Sequence, residues 1–218
     1  MLRGVNLVIY DLDGVLIDAT QAIVNSFRLT FREIGEPLNP EDVVSRIGYS
    51  LIEILRELLP EEHHGDVWRL RDRYIAHFQE QSQEHIRLLP GVAETLETLR
   101  SRGYMQSLAT NKTNTEADRI LTQLGVRGCF DLLVGFMDVP NPKPAPDMIN
   151  LTLERLGVSR ERAVFVDDTT VGLTAGISAG IRTVGITTGT HGRERLETVN
   201  PDYIIDEFRE LPQLLLDS

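Results

Sequence analysis

Two aspartates stand two residues apart where a short apolar run ends. Leu7-Val-Ile-Tyr10 gives way to Asp11-Leu12-Asp13-Gly14. In an extended segment, residues i and i+2 point to the same side. Two carboxylates held that close repel unless a shared proton or a cation compensates them. A hard divalent ion such as Mg²⁺, which takes oxygen ligands, meets that need. The alternative is an acidic turn without chemistry. Three further groups have the same placement after a strand-like segment. Thr110-Asn111-Lys112 follows Tyr104 to Ala109. A hydroxyl and free backbone amides near a helix start can seat a phosphate or simply cap the helix. Lys143 lies between Pro142 and Pro144, prolines that restrict the backbone beside its ammonium. It is either a preset cation for an anionic substrate or part of a rigid linker. Asp167-Asp168-Thr169 follows Ala163 to Val166; N-capping would use one of these carboxylates but not obviously both.

The elements that carry these groups alternate. After residue 86, strand-like and helix-like segments follow one another, with stops at Gly103, Gly125, Gly157 and Gly180. Thr113-Asn-Thr-Glu116 is a capping box. This alternation predicts βαβ units: an α/β fold with a Rossmann-like parallel sheet core. Open parallel sheets bind ligands beyond the carboxyl ends of their strands, where all four groups fall. Residues 18 to 85 read as helical throughout and predict an inserted all-helical cap domain. The division is 1–17 and 86–218 for the α/β core and 18–85 for the all-helical insert, with hinges expected near 14–20 and 84–91. Asp18 with Gln21 reads as the capping box of the first cap helix. Trp68, Tyr74 and Phe78 read as cap core.

Composition sets the outer limits. The chain has 218 residues and a net charge of −11. That charge argues against general nucleic-acid binding and obliges an anionic substrate to find local positive charge. The single cysteine, Cys129, excludes an internal disulfide and suggests a reducing, cytoplasmic setting. No apolar stretch is long enough to span a membrane. The chain is expected as a monomer or homodimer. His63, His64, His77 and His85 show no ligand spacing on one helix face.

Taken together, the four groups resemble the motifs of the haloacid dehalogenase-like hydrolases, in the phosphatase branch with a helical cap. Asp11-Leu-Asp13-Gly-Val-Leu-Ile-Asp18 is similar to the first motif and Ala109-Thr110-Asn111-Lys112 to the second. Lys143 within Pro-Lys-Pro-Ala-Pro is similar to the third, and Asp167-Asp168 to the fourth. The resemblance implies that Asp11 is a nucleophile and Asp13 a general acid and base. It implies that Thr110 and Asn111 hold phosphoryl oxygens and that Lys143 offsets charge. Mg²⁺ would be held by Asp11, Asp13 and Asp168, with Asp167 in support. The sequence departs from the family where Asp167 replaces a common glycine, and where Val171 and Gly172 stand in place of a later aspartate. The implied partner is a small phosphorylated metabolite, on the pattern of phosphoglycolate phosphatases. A sugar-phosphate phosphatase or a phosphomutase uses the same residues, and a non-catalytic module could bind a phosphometabolite in the same cleft. Asp13 argues against a dehalogenase, which needs no acid there. Arg46, Gly48, Tyr49 and Ser50 are the cap residues expected to face the site. His191 either shields the site or sits in a mobile loop, the loop being the preferred reading.

Overall fold

The computed structural model describes residues 2–216. Six strands form one parallel sheet in the order β5-β4-β1-β6-β7-β8. They are β1 Leu7–Tyr10, β4 Met105–Thr110, β5 Leu132–Gly135, β6 Ala163–Asp167, β7 Arg182–Ile186 and β8 Tyr203–Ile205. β1 is central, pairing Leu7 with Met105 on one side and with Ala163 on the other. The chain fills one half of the sheet through β4 and β5, then crosses to β6, β7 and β8. The strand order therefore reverses beside β1, which is where such sheets open a crevice.

The near-continuous apolar runs follow from burial on both faces. Side chains alternate across the sheet: Val8 and Tyr10 belong to one buried cluster, Leu7 and Ile9 to the other. Helices α5 (Val92–Ser101), α6 (Asn114–Gln123) and α10 (Leu211–Leu216) contribute to the first cluster, and α7 (Asp147–Leu156) and α8 (Thr170–Ser178) to the second. The short helix α9 is Arg193–Glu197. Thr113 and Glu116 form the expected capping box at the start of α6. Gly157 ends α7 in the left-handed conformation that glycine tolerates best.

The cap comprises α1 (Thr20–Glu33), α2 (Pro40–Val44), α3 (Leu51–Leu58) and α4 (Val67–His85). A two-stranded antiparallel ribbon joins it to the core, pairing Ile17 with Leu88 and Asp18 with Arg87 across β2 (Ile17–Asp18) and β3 (Arg87–Leu88). Asp18 therefore lies in this ribbon and does not cap α1 through a capping box. Its carboxylate accepts from the Thr20 amide, while Gln21 hydrogen-bonds forward to Asn25. The cap interior is built on Phe27 against Tyr74, with ring centroids 4.6 Å apart, and on Tyr74 against Phe78. Trp68 is not part of that interior; it is 56% exposed. The buried stripe of α4 runs through Val67, Leu70, Tyr74 and Phe78. Residue 68, next to Val67, is rotated about 100° from it and falls off that face. No helix among the described residues is long and apolar enough to cross a membrane.

Candidate active site

The ends of β1, β4 and β6 and the loop after β5 converge on one buried point. Lys143 is 1% exposed, and its Nζ donates to Asp11 Oδ1 at 2.7 Å and to Asp167 Oδ2 at 3.0 Å. Its ammonium also lies 5.4 Å from the Phe165 ring centroid. Asp11, Asp167 and Asp168 are all buried, and carboxylate oxygens of the three lie within 4.8 Å of one another. Burial pushes the Asp11 carboxyl up to about 7; Lys143 holds it back, while Asp167 and Asp13 push it further. Burial, then Asp167 and Asp11, raise Asp168 well above the usual carboxylate range. Burial works against the charge on Lys143, but Asp11 and Asp167 outweigh it and hold the ammonium above the ordinary lysine range.

The two adjacent aspartates divide their duties. Asp167 is fully engaged: Oδ2 faces Lys143, and Oδ1 accepts from the Thr169 amide at 2.8 Å and the Thr169 hydroxyl at 2.7 Å. Thr169 in turn caps α8 by accepting from the Gly172 amide. A Cβ at Gly172 would lie 1.8 Å from Asp167 Oδ2, so this carboxylate packs against bare backbone. Asp168 Oδ2 accepts from the Thr190 amide, but its buried Oδ1 has no partner. Asp13 Oδ1 is likewise buried without one. Orphaned buried carboxylate oxygens are costly unless something satisfies them. Burial raises Asp11 and Asp168 because their charge lacks compensation; with all three carboxylates ionised against one ammonium, two negative charges are left for a divalent cation to balance. The donor set, all oxygen, suits Mg²⁺.

The remaining expected residues are distributed as follows. Thr110 is buried beside Asp11 and Asp13 in the lining of a cavity beneath the cap. Asn111 lines the same cavity, but its side chain is engaged: Oδ1 accepts from the Lys143 amide, and Nδ2 donates to the Gly48 carbonyl of the cap at 2.9 Å. Gly48 and Tyr49 line the cavity. Ser50 is occupied in a capping box with Glu53 at the start of α3. Arg46 does not line the cavity; its guanidinium donates to Glu57 at 2.8 Å and to the Asp42 carbonyl. His191 lies in the loop between β7 and α9 and is buried there. Its Nδ1 accepts from the Thr170 amide at 3.0 Å, and its own amide donates to the Asp168 carbonyl. Burial, helped by Arg195, pushes its pKa down to about 4, consistent with a neutral ring that accepts at Nδ1.

One residue at the site is absent from the expected set. Lys112 Nζ lies 3.1 Å from Asp13 Oδ2 and 4.2 Å over the Phe78 ring of the cap. The alternation that put Asp11 and Asp13 on one side applies equally to Thr110 and Lys112, so the signal was present in the motif.

This arrangement, with acidic groups at the ends of β1 and β6 around a single lysine and a helical cap after the first strand, defines a capped α/β hydrolase. The haloacid dehalogenase-like hydrolase family model matches residues 8–186, and the chain belongs to that family. It is 34% identical over 210 residues to a protein from Dickeya dadantii named probable phosphatase IndB, covering 94% of this chain and 91% of that one. It is 30% identical over 214 residues to the phosphoglycolate phosphatase of Aquifex aeolicus, covering 96% of each. The pyrophosphatase PpaX of Halalkalibacterium halodurans is also 30% identical, over 97% of this chain and 95% of that one. Among solved structures, a haloacid dehalogenase-like family hydrolase from Streptococcus pneumoniae superposes with a TM-score of 0.85 at 25% identity, over 97% of this chain and 98% of that one.

Proposed function

We propose that this chain is a Mg²⁺-dependent phosphatase that hydrolyses a small phosphate monoester through an aspartyl-phosphate on Asp11. The observation that carries this reading is the buried set of Asp11, Asp167 and Asp168 around Lys143, with Asp168 Oδ1 left unpartnered. Asp11 and Asp168, with the main-chain carbonyl of Asp13, would hold the metal. When bound, it supplies positive charge that lets a carboxylate approach a phosphate dianion.

The protein groups act in two steps. Asp11 attacks phosphorus, and the bond to the leaving oxygen breaks as Asp13 delivers its proton to that oxygen. The resulting Asp13 carboxylate then takes a proton from water, which attacks the phosphorus of the aspartyl-phosphate and frees inorganic phosphate and Asp11. The Thr110 hydroxyl and the Asn111 amide hold phosphoryl oxygens, and Lys143 offsets charge on Asp11 and the phosphate. Asp167 orients Lys143. Lys112 orients Asp13.

Hydrolysis of a chromogenic aryl phosphate should require Mg²⁺ and stop on chelation. Asp13→Asn should lower turnover by about 10²-fold. Hydrolysis that survives metal removal would contradict this mechanism. 2-Phosphoglycolate belongs in the substrate panel because the Aquifex aeolicus relative bears that activity in its name.

A further inference from the structure

The cavity over Asp11 and Asp13 extends away from the carboxylates into the cap, where its wall is mainly apolar, with Tyr74 and Arg71 of α4 among its lining. Ile23 and Phe27 of α1, Ile52 and Ile54 of α3, and Ile75 of α4 line it, with Phe136 from the core opposite. Lys112 and Arg71 are the cationic side chains among the described residues that line it; Lys112 is committed within the site, and Arg71 is held only by exposed partners. Lys112 is paired to Asp13 and covers Phe78. Arg71 Nη1 lies 2.8 Å from Asp72, and its guanidinium is 5.9 Å from the ring centroid of Trp68; both partners are exposed. The further charged group on the wall is Glu116, a carboxylate engaged with Thr113. A second anionic group on the substrate would therefore meet a mainly apolar wall and another carboxylate, and could reach a cation only by drawing Arg71 from its exposed partner Asp72. Burying an unpaired charge there is costly. An alkyl or aryl group would instead gain from leaving water.

Resting on the phosphatase reading of this same site, we propose that the leaving alcohol carries a compact apolar group, a short alkyl chain or a single ring. A carboxylate or second phosphate in that position is disfavoured. The cap thus selects esters of apolar alcohols over 2-phosphoglycolate and inorganic pyrophosphate.

The test compares kcat/KM for methyl, propyl and pentyl phosphate, whose leaving groups differ little in basicity, with 2-phosphoglycolate and pyrophosphate, all with Mg²⁺. The expected gain is about fourfold per methylene buried, with 2-phosphoglycolate at least about tenfold below propyl phosphate. Ile75 is only half-buried, so its variants should fold. Ile75→Ala should flatten the chain-length series. Ile75→Lys should add a cation to the apolar wall and shift preference toward 2-phosphoglycolate. Binding of propylphosphonate and phosphonoacetate, followed by calorimetry, separates the two readings. Turnover without chain-length dependence, or with 2-phosphoglycolate or pyrophosphate preferred, overturns the selectivity and leaves the phosphatase reading intact. Absent turnover with binding that still favours propylphosphonate overturns the phosphatase reading and supports the apolar pocket.

Discussion

The carboxyl end of the sheet and the cap solve opposite physical problems across one cavity. At the sheet, charge is concentrated, buried and tightly hydrogen-bonded, with Lys143 between Asp11 and Asp167. In the cap, the surface facing the cavity is mainly apolar, and charged pairs such as Arg73 with Glu33 or Arg46 with Glu57 lie outside. Charges at the sheet can be held only by backbone and opposite charge, so few arrangements serve and the residue types are constrained. The cap needs only shape and hydrocarbon, so many sequences would do. On the proposed function, chemistry falls to the sheet and selectivity to the cap.

The comparison breaks most completely at Asp11. Asp11→Asn keeps the shape and removes the proposed nucleophile, and should lower aryl phosphate turnover by about 10⁴-fold or more. Turnover within tenfold of the parent would show that the buried charge cluster is not the reacting centre. Next in size is Lys143→Met, which leaves Asp11 and Asp167 buried without their cation. Loss of a partner from a buried pair costs about 3 kcal/mol or more, so thermal unfolding should move down by several degrees and activity should fall with it. An unchanged midpoint would mean that Lys143 does not hold these carboxylates in solution.

The contact between the regions is more subtle. Gly48 has φ +108°, and a Cβ there would lie 2.9 Å from Thr169 Cγ2. Gly48→Ala should displace the cap loop from the core, weaken the Asn111 bond to its carbonyl, and lower kcat/KM by about tenfold to a hundredfold. The strain of a side chain at that φ should also lower the melting midpoint by a few degrees. If melting collapses while kcat/KM per folded molecule holds, this contact serves stability alone.

The smallest effect belongs to the cap surface. The Arg73 hydrogen bond, with His77 in support, lowers the Glu33 carboxyl to about 2 from its ordinary 4.5. Between those values the unfolded chain binds more protons than the folded one. The contribution is complete above about 4.5 and is lost as pH falls through 2. Because the pair is exposed, Glu33→Gln should cost under about 1 kcal/mol at neutral pH, less at high salt, and leave kcat/KM unchanged. A change in kcat/KM would deny the separation of the two regions.

Much of this was legible beforehand because it is local. Alternating strand and helix signals, the Thr113 capping box and the Gly157 stop each depend on a few neighbouring residues, and the placement of reactive groups after strands follows from parallel-sheet geometry. What misled were positions with two local solutions. Asp18 could cap a helix or enter a ribbon, and its pairing with Arg87 across the chain decided it. Trp68 reads as core by residue type, but the phase of α4 turns it outward. His191 is the loop residue the sequence suggests, but its burial depends on the Thr170 amide and the Asp168 carbonyl closing around it.

The order of residues alone determined the parallel α/β core, the helical insert and which acidic and basic residues stand at strand ends, since each depends on hydrophobic period and short-range turn chemistry. Only the tertiary structure decided that Asp167 holds Lys143 while Asp168 keeps an oxygen free, that Lys112 pairs with Asp13, and that the cap presents a mainly apolar surface to the cavity. Those outcomes depend on distances between segments far apart in the chain, and no local pattern encodes a distance of that kind.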